Sequence, residues 1–500
     1  MENWQATIHD FIEVTPLHWV LHSRRRWLAV ASALLLALLL GAGSGWLIAE
    51  AGPLVMAILV LALVAVLLMV REIEVAYGAV IGVVTLLPFA SLPFKIGFTP
   101  TFLDLALLGL FCVWLVPIIV GHEVDLVSTP LDGPVLAFMI MAVGAFVAGL
   151  SHATLDSYLI RHFAEILLSM ALFYLIVNTV RDVDRLERLV RVFLLAAGAA
   201  ATLGIVLYMI PNKLAIQVLS ALGRLGYPVG PGVLRFVRDD PALMQRATST
   251  SVDPNILGSL LNVALVMAVP QLFARRPILK RGLLLPLLGL IAICLGLTIS
   301  RGSMVGAATA IIVLGVLRYP KILPWLVLAF LLVLLLPWTQ EYVLHFLEGV
   351  RGEDLSTQMR FGEYKDAFIL IRRYPVLGVG FAGAPDIDTY IGVSSVYLLI
   401  AEQMGLVGLT GFLTVVGGVL ARFWLRWKPT QLLPRLGPLW YGLHAALFGG
   451  LVGGIFDYYF FSLDFHHSAT IFWMIVGLAT AATQLLDSTR PPATMSPTRS

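Results

Sequence analysis

Arginine is well suited to gripping phosphate, because its planar guanidinium offers parallel N–H donors and keeps its charge. Three arginines, Arg246, Arg301 and Arg360, stand beside small or polar residues, at the mouths of hydrophobic runs or in the polar segments between them. Arg246 opens a Thr/Ser-rich stretch ending in Asp253-Pro254-Asn255, a helix start with an aspartate cap and a proline in the first turn. Arg301 lies in Thr298-Ile-Ser-Arg-Gly-Ser303. A helix beginning there presents free backbone N–H groups and its positive dipole end to an anion. Arg360 is followed by Tyr364, Ala367, Arg372, Arg373, Pro375, Gly378 and Gly380. Plainer readings stand beside these: a solvated loop charge, a snorkelling turn residue and a surface amphipathic helix. On one face of a membrane, the three arginines would suit an anionic, lipid-linked ligand.

The elements that must position them are membrane helices. Of 500 residues, 59% are hydrophobic and only 13% charged, and many apolar runs approach the roughly 20 residues that cross a bilayer. The fold class expected is an all-α polytopic membrane protein with about 12–14 transmembrane helices. Its large extracytoplasmic loop carries amphipathic helices. Spans are predicted near 27–49, 53–70, 75–95, 99–120, 131–152, 157–180 and 190–212. Seven more are predicted near 253–274, 283–299, 302–318, 321–338, 394–421, 438–460 and 468–487. Basic connectors at Arg24–Arg26, Arg181–Arg191, Arg275–Arg281, Arg318 with Lys321 and Arg422–Arg435 then fall on one side, the cytoplasm by the positive-inside rule. Residues 1–26 form a cytoplasmic segment, 27–244 the first helices and an outer loop at 213–252, and 245–487 the chemistry-bearing region with its outer loop at 339–393. The Pro/Ser/Thr-rich tail, 488–500, is expected to be disordered and cytoplasmic. The net charge of +3 gives no reason to invoke nucleic acid. Cys112 and Cys294 fall inside predicted spans and indicate no disulfide framework.

From Asp253-Pro254-Asn255 through Ser300-Arg301-Gly302 to Arg360-x3-Tyr364-x2-Ala367, Pro375-x2-Gly378-x-Gly380 and Tyr397-Leu398 with Glu402, Gly405, Leu406 and Gly408, the chain resembles the O-antigen ligase and polymerase family of bacterial membrane glycosyltransferases. The resemblance covers roughly residues 245–490. It implies glycan transfer from an undecaprenyl-pyrophosphate carrier to a saccharide or lipid acceptor, at the outer face of the plasma membrane and among membrane lipids. No cofactor and no metal are implied. Arg301 and Arg360 match the family's leaving-group arginines, with Arg246 next and Arg372, Arg373 and Tyr397 as further substrate contacts. Ligases of the family carry a histidine where this chain has Ser394, followed by Ser395, and Glu402 stands one residue from the usual glutamate. Serine does not act as a general base at neutral pH as histidine does. A polymerase or divergent transferase is therefore favoured, with Asp386, Asp388 or Glu402 as substitute bases.

Two rivals are a transporter or flippase for a lipid-linked sugar and a non-catalytic scaffold. Charges near mid-membrane and inverted repeats would mark the transporter; here charge gathers at the helix mouths and no repeat is evident. Arg161 and Glu165 are spaced to pair on one helix face. His466 and His467, near Asp457 and Asp464, read as interfacial histidines beside Tyr458 and Tyr459.

Overall fold

The structure, a computed structural model, describes residues 72–92, 98–119, 125–151, 155–335, 355–382, 392–427 and 433–488, with a few isolated positions elsewhere. The first two predicted spans and the tail lie almost entirely outside these residues. The chain is an all-α polytopic membrane protein. Its helices are α1 (Ile73–Leu86), α2 (Phe102–Ile119), α3 (Asp132–Gly149), α4 (Ser157–Thr179), α5 (Val183–Met209), α6 (Asn212–Ala221), α7 (Pro254–Ala268), α8 (Arg281–Leu297), α9 (Arg301–Leu317), α10 (Leu323–Leu335), α11 (Leu355–Arg373), α12 (Val396–Arg426), α13 (Leu436–Gly453) and α14 (His466–Ser488). Among the described residues the only sheet is a two-residue pairing of β1 (Arg235–Phe236) with β2 (Gln245–Arg246).

The chain divides into two compact units, Met1–Val80 with Ala106–Asp125, and Ile81–Leu105 with Leu126–Ser500. In the first, Tyr77, Val80, Leu107 and Leu110 are buried. The second holds every residue discussed below. Its centre is α7, α13 and α14, apolar helices buried around most of their circumference, against which α4, α9 and α12 pack. Helices α3 and α10 instead expose Leu136, Ile140, Val143 and Val147, and Trp325, Val327, Phe330 and Leu335. Such unbroken apolar faces suit lipid rather than water.

Helix starts follow local chemistry. Asp156, Asp182 and Asp253 cap α4, α5 and α7 by accepting from Leu159, Arg185, and Asn255 with Ile256, satisfying donors that have no partner within the helix. The Asp182 cap starts α5 seven residues before the predicted span. Among the described residues, the basic connectors at 181–191, 275–281, 318–321 and 422–435 converge at one end of the second unit. Arg435 pairs with Asp184 and Glu187, Arg191 donates to the Ile278 carbonyl, and a pocket of about 350 Å³ gathers Arg275, Arg318, Tyr319 and Pro434.

Two glycine devices set the site's geometry. Gly302 and Gly306 of α9 face Gly453 and Gly449 of α13, and a Cβ on Gly306 would strike the Gly449 carbonyl. Small residues at four-residue spacing let the two backbones touch. The second device lies in α12, which breaks at Gly405 (φ 66°). The turn after α11 enters this break. Val379 and Gly380 donate to the carbonyls of Glu402 and Gln403 (2.9 Å each), and Leu406 donates to that of Pro375 (2.8 Å). Gly378, also at positive φ, lies against the Gln403 backbone, and a Cβ on Gly405 would strike that of Val376. Replacing Gly405 with valine is expected to cost more than the roughly 1–2 kcal/mol of left-handed strain alone, because backbone cannot move aside. Gly417→Ala, where a Cβ meets nothing within 4 Å, should be neutral or stabilising by up to about 1 kcal/mol. Thermal unfolding of both variants in detergent checks the contrast.

Candidate active site

The site assembles where the N-terminal ends of α7 and α9, the helix α11 and the turn between α13 and α14 meet. Asp457, in that turn, is its centre. The Arg360 guanidinium lies 3.8 Å from Asp457 Oδ1, and Gly302, next to Arg301, lies against the Asp457 carboxylate. Asp253, Arg246 and Arg301 also act electrostatically on Asp457. The turn is held by Val396, whose backbone N–H donates to the carbonyls of Gly454 (2.8 Å) and Asp457 (3.0 Å). Thus Arg360 pairs with Asp457, and Arg246 and Arg301, from two other segments, act on the same carboxylate electrostatically.

Their roles differ. Arg246 is largely committed: Nε donates to the Thr298 carbonyl (2.8 Å) and NH2 to Asn255 Oδ1 (2.6 Å). It ties β2 to the end of α8 and the start of α7, and burial pushes its pKa down, partly offset by Asp253, Tyr459 and Asp457. Arg301 is the first residue of α9. It follows Ile299, whose φ of 53° is unusual for a β-branched residue. Arg360 lies in the second turn of α11 and remains partly exposed. Arg372 and Arg373, three turns further along α11 and therefore about 18 Å away, are exposed and are not brought to this cluster. A narrow cleft leads from Asp457 into the bundle between Ser259, Asn262, Ser303 and Tyr459.

Burial pushes the Asp457 carboxyl up to about 7; Arg360, Arg246 and Arg301 oppose the rise, and Asp253 adds to it. Because its folded value lies above the ordinary 3.8, the folded chain holds a proton that the unfolded chain releases. Stability from this group is full below about 4 and is lost as pH rises through 7. An anionic ligand whose charge is constant across this range would compete with the Asp457 carboxylate for the same guanidiniums. Its binding should weaken roughly tenfold from pH 6 to pH 8. Asp457→Asn should bind more tightly at pH 8 and lose the dependence; an unchanged slope in that variant would exclude Asp457 as its source.

Beside the arginines lies a carboxylate that the sequence reading passed over. Glu363, one turn after Arg360, accepts from Ser394 through both the backbone N–H (3.0 Å) and Oγ (2.7 Å). Tyr364 donates to the Ser394 carbonyl (3.3 Å), and Arg360, Glu363 and Asp457 are its electrostatic neighbours. Glu402 is fully buried, its carboxylate without a well-formed hydrogen bond; Gly392, Asp366 and Glu363 lie near it. The Tyr397 hydroxyl donates to the Leu451 carbonyl (2.8 Å), so Tyr397 ties α12 to α13. Asp386 and Asp388 lie outside the described residues. Along α11, Ala367 is buried, whereas Phe361 and Phe368 are exposed on another face with Lys365 and Arg372. Asp457, grouped by sequence with His466 and His467, belongs to the arginines instead.

Residues 286–413 match the model of the O-antigen ligase family. The match includes Arg301, Arg360, Glu363, Ser394, Tyr397 and Glu402 and leaves Arg246 and Asp457 outside. A comparison with curated proteins finds no match. Over this segment the chain is similar to the O-antigen ligase domain of membrane glycan ligases and polymerases.

Proposed function

We propose that this protein transfers a glycan from a polyprenyl-pyrophosphate carrier to a saccharide or lipid acceptor, at the outer face of a bacterial plasma membrane. The observation that carries the proposal is the convergence of Arg246, Arg301 and Arg360 on the Asp457 turn. Loss of the pyrophosphate leaves negative charge on its oxygens, and fixed cations in a partly dry site stabilise that charge without reorganising. Arg301 and Arg360 are placed for this, with Arg246 bracing the floor, so the leaving group needs no metal at its phosphates. The acceptor hydroxyl attacks the anomeric carbon as the bond to pyrophosphate breaks. Glu363 takes the hydroxyl's proton, and Ser394 holds that carboxylate where related ligases carry histidine. Clustering of the basic connectors at the opposite end supports an outer site, with both termini cytoplasmic.

The test is transfer in reconstituted membranes from a lipid-linked donor, with polysaccharide examined in a deletion strain. Single repeats attached without chain growth indicate a polymerase; accumulated unattached polymer indicates a ligase. Normal surface polysaccharide in the deletion strain would remove the proposal. Cysteines placed in 355–373 should label from outside intact cells; labelling only after lysis would overturn the orientation.

A further inference from the structure

The adjoining ends of α4 and α14 hold a side-chain cluster that glycan transfer does not use. His162 and Glu165 stand three residues apart on α4, and His466 is the first residue of α14. His162 Nδ1 lies 3.0 Å and His466 Nδ1 3.3 Å from the same oxygen, Glu165 Oε2. The three residues bring one donor atom each within 4.8 Å of one another. Glu165 and His466 are only 3% and 5% exposed. Despite the short separations, none of these three atoms has a hydrogen-bond partner among the described residues. Two imidazole nitrogens therefore face one carboxylate oxygen without an aligned N–H between them.

We propose that His162 Nδ1, Glu165 Oε2 and His466 Nδ1 bind a divalent transition-metal ion, with zinc favoured by the donor set. Two imidazoles and a carboxylate, with a fourth position left to water, form an open tetrahedral site. Bonds of 2.0–2.2 Å in that geometry set neighbouring donors roughly 3.3–3.6 Å apart, near the 3.0 and 3.3 Å between the two imidazole nitrogens and Glu165 Oε2. The surroundings orient the carboxylate as outer partners do at metal centres. Arg161 Nε holds the other Glu165 oxygen, Oε1, at 2.8 Å, while Arg161 NH2 reaches Asp104 Oδ2 at 3.2 Å. The Tyr158 ring packs on His162 with centroids 4.1 Å apart. Glu165 and Asp104 supply two negative charges against Arg161 and the ion. Bound there, the metal pins α4 to the start of α14, just after the turn that carries Asp457.

The experiment uses full-length protein, purified in detergent with a tag lacking histidine, stripped with EDTA and titrated with zinc. Metal content after gel filtration and the thermal unfolding midpoint are measured. Expected are one zinc per chain, a midpoint raised by several degrees and reversed by chelator, and at least tenfold weaker binding in His162→Gln and His466→Gln. Cobalt should give the visible spectrum of a tetrahedral nitrogen–oxygen site. No stoichiometric binding by the wild-type chain, or undiminished binding in the double variant, overturns the proposal and leaves a metal-free ionic cluster. If the variants fail to fold, the wild-type titration and cobalt spectrum still decide. No donor substrate is needed, so the outcome is independent of the transfer reading.

Discussion

Replacing Arg360 with alanine is expected to cut glycan transfer by about 10²–10³-fold while leaving the amount of protein in the membrane unchanged. Arg301→Ala should do the same. The magnitude is that of removing one fixed donor from developing transition-state charge. It should appear mainly in kcat, because in the proposed reaction the charge is greatest as the leaving group departs. Lysine at either position should recover part of the rate: it restores the charge without the planar fork. Arg246→Ala should behave differently. Its guanidinium bonds Thr298 and Asn255, so the variant should lose thermal stability as well as activity, and lysine cannot make both bonds from one compact ammonium. Transfer from a lipid-linked donor, measured beside unfolding midpoints, separates these outcomes. Full activity in both Arg301→Ala and Arg360→Ala would remove the mechanism.

The membrane helices were legible because hydropathy and caps are local signals. Predicted spans near 131–152, 157–180 and 302–318 correspond to Asp132–Gly149, Ser157–Thr179 and Arg301–Leu317. The arginine cluster was legible for a related reason, since charges at helix mouths stand out against apolar runs. Asp457 was not, because its partners are brought to it by the α9–α13 packing, and nothing near it in sequence is basic. It was grouped with its chain neighbours His466 and His467, which is the error a one-dimensional reading invites. His466 instead meets His162 and Glu165 through the packing of α14 on α4. Glu363 did carry a signal: three residues after Arg360 it must share that arginine's helix face. Arg372 and Arg373 show the converse, because the helix that joins them to Arg360 turns twelve residues of sequence into about 18 Å of distance. The glycines at 378, 380 and 405 were visible as a motif, but only the broken α12 shows that they pair with one another.

Glu363→Gln should lower transfer by about 10²–10⁴-fold, the usual range for losing a positioned general base. Glutamine keeps the side chain's length and a carbonyl oxygen that can still accept from Ser394, so the local fold should survive. What it removes is the capacity to take a proton from the acceptor hydroxyl. Donor binding should therefore be nearly unchanged, and the deficit should lie in kcat at saturating donor. Ser394→Ala should have a smaller effect, because it deletes one of the two hydrogen bonds to Glu363 and leaves the backbone N–H in place. The sharper test reverses the substitution at Ser394. Ser394→His in the Glu363→Gln background places an imidazole within reach of the same point and should restore part of the lost rate. Recovery in that double variant, with no gain from Ser394→His alone, would assign the proton to this position rather than to Glu402. Full transfer by Glu363→Gln would return the role to the other carboxylates.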